Sequence, residues 1–163
     1  MILIDTSVYI SAVTDTELEK ALKKSHKKSF VISSEVVDDE IKESANYLRK
    51  TNRKIECEKL KEIYNSSIGG TIRFTDRVLA IANTYSEKVR EKFGKDKAKD
   101  MKDDLRIVAC ASVAGLKFIG TFNRKTMANE EIIEIYNAVN KENKLKTPEF
   151  IKSREKLIAL LSS

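Results

Sequence analysis

The sequence has few of the residues that separate domains or bind soft metals. It contains one proline and five glycines among 163 residues, so few linkers are available and we expect a single domain over residues 1–163. It contains one histidine and two cysteines, Cys57 and Cys110, which form no CxxC pair. This scarcity argues against a zinc site and excludes a disulfide framework.

Long apolar runs are also missing. No apolar stretch approaches the length of about 20 residues that a membrane-spanning helix needs. Asp5 interrupts the first apolar stretch, so no signal peptide is visible. We therefore expect a soluble cytoplasmic protein that has no membrane partner.

Charged residues are abundant and are mixed with apolar residues in periodic patterns. They make up 34% of the chain against 41% apolar residues, and the formal net charge is +6. The mixture is typical of a folded chain rather than a disordered one. The positive balance fits a polyanionic partner such as nucleic acid, although a surplus of lysine also keeps proteins soluble.

Short apolar runs alternate with amphipathic segments along the chain. This alternation predicts an α/β fold with a central, mainly parallel sheet of four or five strands and helices on both faces. The predicted strands are 2–4, 29–32, 71–74 and 117–121. The predicted helices are 16–28, 35–50, 54–65, one capped by Thr75 or Asp76 and ended by Gly94, 104–114, one after Asn129, and a C-terminal amphipathic helix within 146–163.

Local signals define most of these boundaries. Gly69 and Gly70 mark a break after helix 54–65, and Pro148 suits the first turn of the C-terminal helix. Residues 51–103 form a helical middle region that ends in a charged connector, 95–103. The predicted helix caps are Ser33 or Ser34, Thr75 or Asp76, and Asn129.

Polar residues follow the first and the fourth predicted strands. In parallel α/β folds, ligands bind in the crevice at the carboxyl ends of the strands. Asp5 lies there after strand 2–4, and Asn123 lies two residues beyond strand 117–121. Each has a simpler interpretation, because Asp5 or Thr6 can cap the next segment and asparagine favours turns.

Glu40 lies on the apolar side of its predicted helix. On a helical wheel it projects between Val36 and Val37, within the apolar half of helix 35–50. A buried, unpaired carboxylate costs on the order of several kcal/mol, so Glu40 needs a cation or a ring of hydrogen-bond donors. A structural salt bridge would meet the same need.

Asp103 and Asp104 precede the most apolar segment of the chain. Helix 104–114 is apolar on nearly all sides, which predicts that it is buried. N-capping and the helix dipole explain one aspartate at its start. We expect one of the two to cap the helix and the other to point elsewhere.

Taken together, Asp5, Glu40, Asp104 and Asn123 would meet in one crevice. Three carboxylates at close range repel one another, and their pKa values rise unless a cation shares the site. Hard oxygen ligands without histidine or cysteine favour Mg²⁺ or Mn²⁺. A site of this kind activates water and stabilises phosphoryl oxygens.

These motifs resemble the PIN-domain family of metal-dependent ribonucleases. The matching stretches cover nearly the whole chain: ILIDTSVYIS, FVISSEVVDDEIKE, DDLRIVACASVAGLKFIGTFNRKTM and LKTPEFI. The resemblance implies a central parallel sheet, a Mg²⁺ or Mn²⁺ site and cleavage of RNA. It also implies that Asp5, Glu40, Asp104 and Asn123 are the catalytic positions, with the three carboxylates as metal ligands.

The resemblance further implies residues that line the site. The supporting or substrate-binding candidates are Thr6, Asp103, Thr121, Arg124 and Lys125. The chain is most similar to the small prokaryotic PIN proteins, many of which are VapC-type toxins paired with an antitoxin. RNA, a small antitoxin protein and a second copy of the chain are therefore the implied partners.

The sequence departs from the family pattern at three points. Asn123 stands where many members have aspartate, which removes one charge and leaves the number of metals, one or two, open. The serine-rich segment before the acidic helix leaves the register between Asp39 and Glu40 open. Residues 51–103 are longer and more charged than in a minimal toxin.

Two other functions were compared with an endoribonuclease. A noncatalytic PIN-fold protein that binds RNA or assembles an RNA-processing complex would lack the site residues, which are present here. A phosphatase or receiver domain is disfavoured, because DTS at 5–7 lacks the second aspartate of the phosphatases and no aspartate pair follows the first strand. The chain also has no P-loop and no GxGxxG motif.

The C-terminal segment is strongly apolar. It contains Leu157, Ile158, Leu160 and Leu161, which either dock on their own domain or meet a partner. The small prokaryotic PIN proteins that the chain resembles often dimerise, so we expect a homodimer.

Overall fold

The computed structural model describes residues 1–28 and 30–163, and Ser29 lies outside the described residues. Strands and helices alternate along this part of the chain. They are β1 Ile2–Ile4, α1 Thr6–Ala12, α2 Thr16–Ser25, a 3₁₀ turn His26–Lys28, β2 Val31–Ser34, α3 Glu35–Lys50, α4 Lys54–Asn65, β3 Ile68–Ile72, α5 Asp76–Phe93, α6 Lys95–Asp100, α7 Lys102–Val113, β4 Phe118–Gly120, α8 Glu130–Glu142, β5 Glu149–Ile151 and α9 Arg154–Ser162.

The five strands form one parallel sheet in the order β3-β2-β1-β4-β5. All three residues of β1 are buried, as expected for a central strand covered on both faces. Because crossovers between parallel strands are right-handed as a rule, this strand order implies that the helices between β1 and β3 cover one face and those between β3 and β5 the other. The predicted α/β fold with a parallel sheet is confirmed.

The chain order of the strands reverses between β1 and β4. From β1 the chain moves outward to β2 and β3, and from β4 it moves the other way to β5. The pairing of Ile4 with Gly120 brings the carboxyl ends of these two strands side by side. Ligand crevices of parallel α/β folds form at such a reversal.

Several predicted boundaries are wrong for identifiable reasons. The second strand is Val31–Ser34 rather than 29–32, because Ser33 and Ser34 pair with β3 before the chain turns into α3. The third strand is Ile68–Ile72 rather than 71–74, since Gly69 and Gly70 belong to an edge strand. At an edge, glycines lose little packing.

Two further segments differ from the predictions. The connector 95–103 contains the helix α6, which packs against α5 and α7 through Ala98. Pro148 precedes β5 instead of opening a helix, a position that proline tolerates because β5 is an edge strand. The short helix α1 was not predicted, and helix 16–28 ends at Ser25 before its 3₁₀ turn.

The C-terminal helix docks on its own domain. Leu157 and Leu161 are buried, and α9 contacts α2. Arg154 donates two hydrogen bonds to Asp15, from Nε to Oδ2 at 2.6 Å and from Nη2 to Oδ1 at 3.0 Å. The apolar residues of the C-terminal segment therefore complete the domain core.

No helix in the described part of the chain is both long and apolar enough to span a membrane.

Candidate active site

Asp5 ends β1 and is buried, with 4% of its surface exposed. It is the N-cap residue of α1, yet its side chain makes no capping hydrogen bond. Its Oδ2 instead accepts hydrogen bonds from Ser7 Oγ at 2.6 Å and Thr121 Oγ1 at 2.9 Å. The interpretation of Asp5 as a simple helix cap is therefore wrong.

Asp104 lies at the start of α7 and is half-buried. Its Oδ2 accepts hydrogen bonds from Thr126 Oγ1 at 2.6 Å and Asn123 Nδ2 at 3.3 Å. The N-cap position of α7 is occupied by Met101, so neither Asp103 nor Asp104 caps the helix as expected. Both lie in the first turn of α7, where the helix dipole favours negative charge.

Glu40 projects from α3 toward the ends of β1 and α7. Its Oε1 accepts a hydrogen bond from Thr6 Oγ1 at 3.3 Å, and the residue is half-buried. Asp39 is exposed. This difference favours Glu40 over Asp39 as the residue that α3 contributes to the crevice, as the helical wheel indicates.

Negative charge is concentrated around Glu40 and Asp104. Burial raises the pKa of Glu40 to about 8, and the charges of Asp5, Asp103 and Asp104 add to the rise. Burial also raises the pKa of Asp104 to about 6, reinforced by Asp5 and Asp103 and opposed by the hydrogen bond from Thr126. The carboxylates of β1, α3 and α7 thus interact electrostatically.

The supporting candidates divide into two groups. Thr6 and Thr121 contact the carboxylates directly, and Thr121 Oγ1 also accepts a hydrogen bond from the Asn123 amide at 3.0 Å. Arg124 instead donates from Nη2 to the Lys152 carbonyl oxygen at 3.0 Å. The remaining two candidates, Asp103 and Lys125, are exposed.

Sequence reasoning missed Ser7 and Thr126. Ser7 accepts a hydrogen bond from the Phe122 amide at 3.1 Å while it donates to Asp5. Asn123 Oδ1 accepts a hydrogen bond from the Thr126 amide at 3.2 Å, a turn that brings the Thr126 hydroxyl to Asp104. The turn propensity of asparagine is the signal that predicts such a local bond.

The oxygen donors of this crevice fit a hard divalent cation in chemical type. Within residues 1–28 and 30–163, no group of three or more His, Cys, Asp or Glu side chains is arranged to hold a metal ion. Mg²⁺ does not require such a group, since it keeps several water ligands and binds through one or two carboxylates. Burial is the largest cause of the raised pKa values of Glu40 and Asp104, and the part that comes from the charges of Asp5 and Asp103 is the part that a cation would offset.

Comparison with known families gives one match. A family model described as the PIN domain matches residues 2–132, which include every residue of the crevice. No curated protein matches the sequence significantly. PIN domains have a nuclease-type fold and generally depend on divalent metals. Because the model covers more than half of the chain, the protein belongs to the PIN-domain family.

Proposed function

We propose that the protein is a Mg²⁺- or Mn²⁺-dependent endoribonuclease that hydrolyses phosphodiester bonds of RNA. The observation that supports the proposal is the electrostatic interaction of Glu40 and Asp104 with Asp5, which follows β1 where the strand order reverses. A site of this chemistry in a nuclease-type fold favours hydrolysis over binding without reaction. The positive net charge is consistent with a polyanionic substrate.

Asp5, Asp104 and Glu40 are the residues that would hold the cation. When bound, such an ion lowers the pKa of a water molecule and stabilises negative charge on phosphoryl oxygens. Ser7 and Thr121 orient the carboxylate of Asp5, and Thr126 and Asn123 orient that of Asp104. These hydrogen bonds fix the acidic groups before a substrate arrives.

Glu40 can carry a proton near neutral pH. Its pKa of about 8 keeps the carboxyl largely protonated at pH 7 in the absence of a cation. Positive charge in the crevice would lower that pKa, so that one carboxylate oxygen of Glu40 could hold the cation and the other could accept a proton. Glu40 is thus the side chain best suited to exchange a proton with water in the crevice.

The proposal is tested by incubating labelled single-stranded RNA with the protein in Mn²⁺ or in EDTA. We expect cleavage with Mn²⁺ and none with EDTA. Asp104→Asn should lower the cleavage rate by about 100-fold or more, because it removes a charge from the site but keeps an acceptor for Thr126.

Asp103→Asn is the matched control, since it makes the same change one residue away on an exposed side chain. Its effect should be clearly smaller. Similar losses in both variants, with an unchanged circular dichroism spectrum, would contradict the assignment of Asp104. Metal-dependent binding of RNA without any cleavage would favour a noncatalytic RNA-binding or assembly protein.

We further propose that the protein acts in the cytoplasm as the toxin of a toxin–antitoxin pair. The support is the resemblance of its motifs to small prokaryotic PIN proteins. An adjacent reading frame that encodes a small DNA-binding protein would support this role. Co-expression with that protein should restore growth that the wild type alone inhibits, and Asp104→Asn should not inhibit growth.

We also propose a homodimer, although α9 itself is folded onto its own domain. Light scattering at two protein concentrations should give twice the chain mass of 18.5 kDa. A mass near 18.5 kDa at both concentrations would contradict the dimer.

A further inference from the structure

A depression with a volume of about 280 Å³ lies between α5, α6 and α7. Its floor contains Ala82, Ala98 and Leu105, and no acidic residue lines it. Its rim carries five cationic side chains: Arg90, Lys95, Lys99, Lys102 and Arg106. We call these five residues the basic rim.

The basic rim has no internal charge compensation. Within the described residues, none of its members forms a salt bridge. Arg106 lies over the ring of Phe74, with its guanidinium carbon 5.1 Å from the ring centroid. Such a contact leaves the guanidinium N–H groups at its edge available to an anion.

The helices bring like charges together at the depression. Lys95 and Lys99 are four residues apart on α6, and Lys102 and Arg106 are four residues apart on α7. Side chains at this spacing are neighbours, and like charges there destabilise a helix. The acidic residues of α6, Asp96 and Asp100, do not line the depression. An anion in the depression would offset this repulsion.

The basic rim and the candidate active site share the helix α7. Lys102 directly precedes Asp103 in the first turn of α7, and the charge of Lys97 on α6 reaches Asp104. One helix thus presents cations on one side and the acidic crevice on another. A single nucleic-acid strand can contact both, because its phosphates recur along the backbone.

We infer that the basic rim binds the phosphate backbone of the RNA strand next to the phosphodiester that is cleaved. This inference rests on the proposed function and extends it by naming the surface that holds the substrate. A strand bound in this way is recognised through its phosphates, so the contact is independent of sequence. The rim would position the strand while the acidic crevice performs the chemistry.

The test compares RNA binding by the wild type and by Lys95→Gln/Lys99→Gln. Both lysines are exposed, and glutamine has a similar helix propensity, so the fold should be preserved. Lys20→Gln/Lys141→Gln is the matched control, because both of its lysines are exposed, lie on helices and are outside the depression. Fluorescence anisotropy of a labelled single-stranded RNA is measured in EDTA over a range of KCl concentrations.

Loss of two phosphate contacts should reduce the slope of log K against log salt by about 1.4, at roughly 0.7 per contact with a single strand. At 0.1 M salt this corresponds to an affinity roughly 10- to 30-fold lower, if binding at 1 M salt is unchanged. The control should keep the wild-type slope. An unchanged slope in Lys95→Gln/Lys99→Gln, an equal loss in the control, or no RNA binding by the wild type would overturn the inference.

The result is independent of the test of the nuclease. Binding is measured without a divalent cation, whereas cleavage is measured with Mn²⁺ and with Asp104→Asn. If the wild type cleaves RNA while the slope is unchanged, the basic rim alone is rejected. If the slope falls as expected while no cleavage occurs, the nuclease proposal is rejected and the binding surface is retained as the surface of an RNA-binding protein.

Discussion

At the scale of single residues, the acidic crevice depends on hydroxyl groups. Among the described residues, four hydroxyl side chains donate to its carboxylates: Thr6, Ser7, Thr121 and Thr126. Hydroxyl donors satisfy a carboxylate without neutralising it, unlike lysine or arginine. Hydroxyl donors therefore leave the charge of the ionised carboxylates available to a cation, whereas a salt bridge would neutralise it.

Glu40 should make the stability of the metal-free protein depend on pH. Its pKa rises from 4.5 to about 8 on folding, because of burial and the charges of Asp5, Asp103 and Asp104. Between these values the folded state holds a proton that the unfolded chain has released, so the free energy of unfolding falls as pH rises. The slope is at most about 1.4 kcal/mol per pH unit for one proton.

This dependence can be measured by urea denaturation in EDTA between about pH 6.5 and pH 8, above the pKa of Asp104. Glu40→Gln should remove most of the slope. Glu43→Gln, an exposed change on the same helix, should retain it. Equal slopes for the wild type and Glu40→Gln would show that Glu40 titrates normally.

At the scale of elements, the packing around the end of β4 requires a glycine at position 120. A Cβ on Gly120 would lie 2.8 Å from Ile4 Cδ1 and 3.0 Å from Leu157 Cδ1. The close approach lets α9 pack over β4. It also leaves the Gly120 carbonyl free to accept a hydrogen bond from the Asp5 amide at 2.9 Å.

Gly120→Ala should therefore destabilise the protein by about 1–3 kcal/mol, the usual range for overpacking a core. Gly70→Ala is the matched control, since its Cβ would meet Ile32 Cδ1 at an ordinary 3.9 Å. The free energies come from urea unfolding curves. A Gly120→Ala protein as stable as the wild type would show that Ile4 and Leu157 relax without cost.

The elements that could be predicted are those with a strong local signal. Helix α3 begins after Ser34, which accepts a hydrogen bond from the Val37 amide, and its amphipathic pattern continues to Lys50. The boundaries of β3 and β5 depend instead on their tertiary context. The glycines of β3 and the proline before β5 are breakers in isolation, and both are tolerated because those strands lie at the edges of the sheet.

The site could be predicted only where its residues give a local signal in the sequence. Glu40 and Asp5 contradicted the pattern around them, so their positions were visible in the sequence. Ser7 and Thr126 contradict nothing, because hydroxyl residues suit helix starts and turns. Their contacts depend on residues that are distant in sequence. Thr126 contacts Asp104, more than twenty positions away, and Ser7 contacts Phe122, more than one hundred positions away.

At the scale of the whole molecule, cation binding and folding should be coupled. An ion that binds the folded state alone adds about 2.7 kcal/mol of stability at 100 times its Kd. For a domain of this size the rise in Tm is roughly 5–10 °C. Differential scanning fluorimetry of the wild type with Mn²⁺ against EDTA measures the shift.

Asp104→Asn should show a much smaller Mn²⁺ shift, and in EDTA we expect it to melt above the wild type because a repulsive charge is gone. Asp103→Asn should keep most of the shift. Equal shifts in the wild type and Asp104→Asn would mean that Mn²⁺ binds elsewhere or without these carboxylates.

The order of the strands determines when the crevice can form during synthesis. The central strand β1 is made first, but one of the two donors that orient Asp5 is Thr121, and the donors that orient Asp104 are Asn123 and Thr126. Chains are synthesised at about 5–20 residues per second, so Thr121 is added on the order of ten seconds after Asp5. A nascent chain therefore has no complete acidic crevice until Thr126 has been made, when more than three quarters of its messenger RNA has been read.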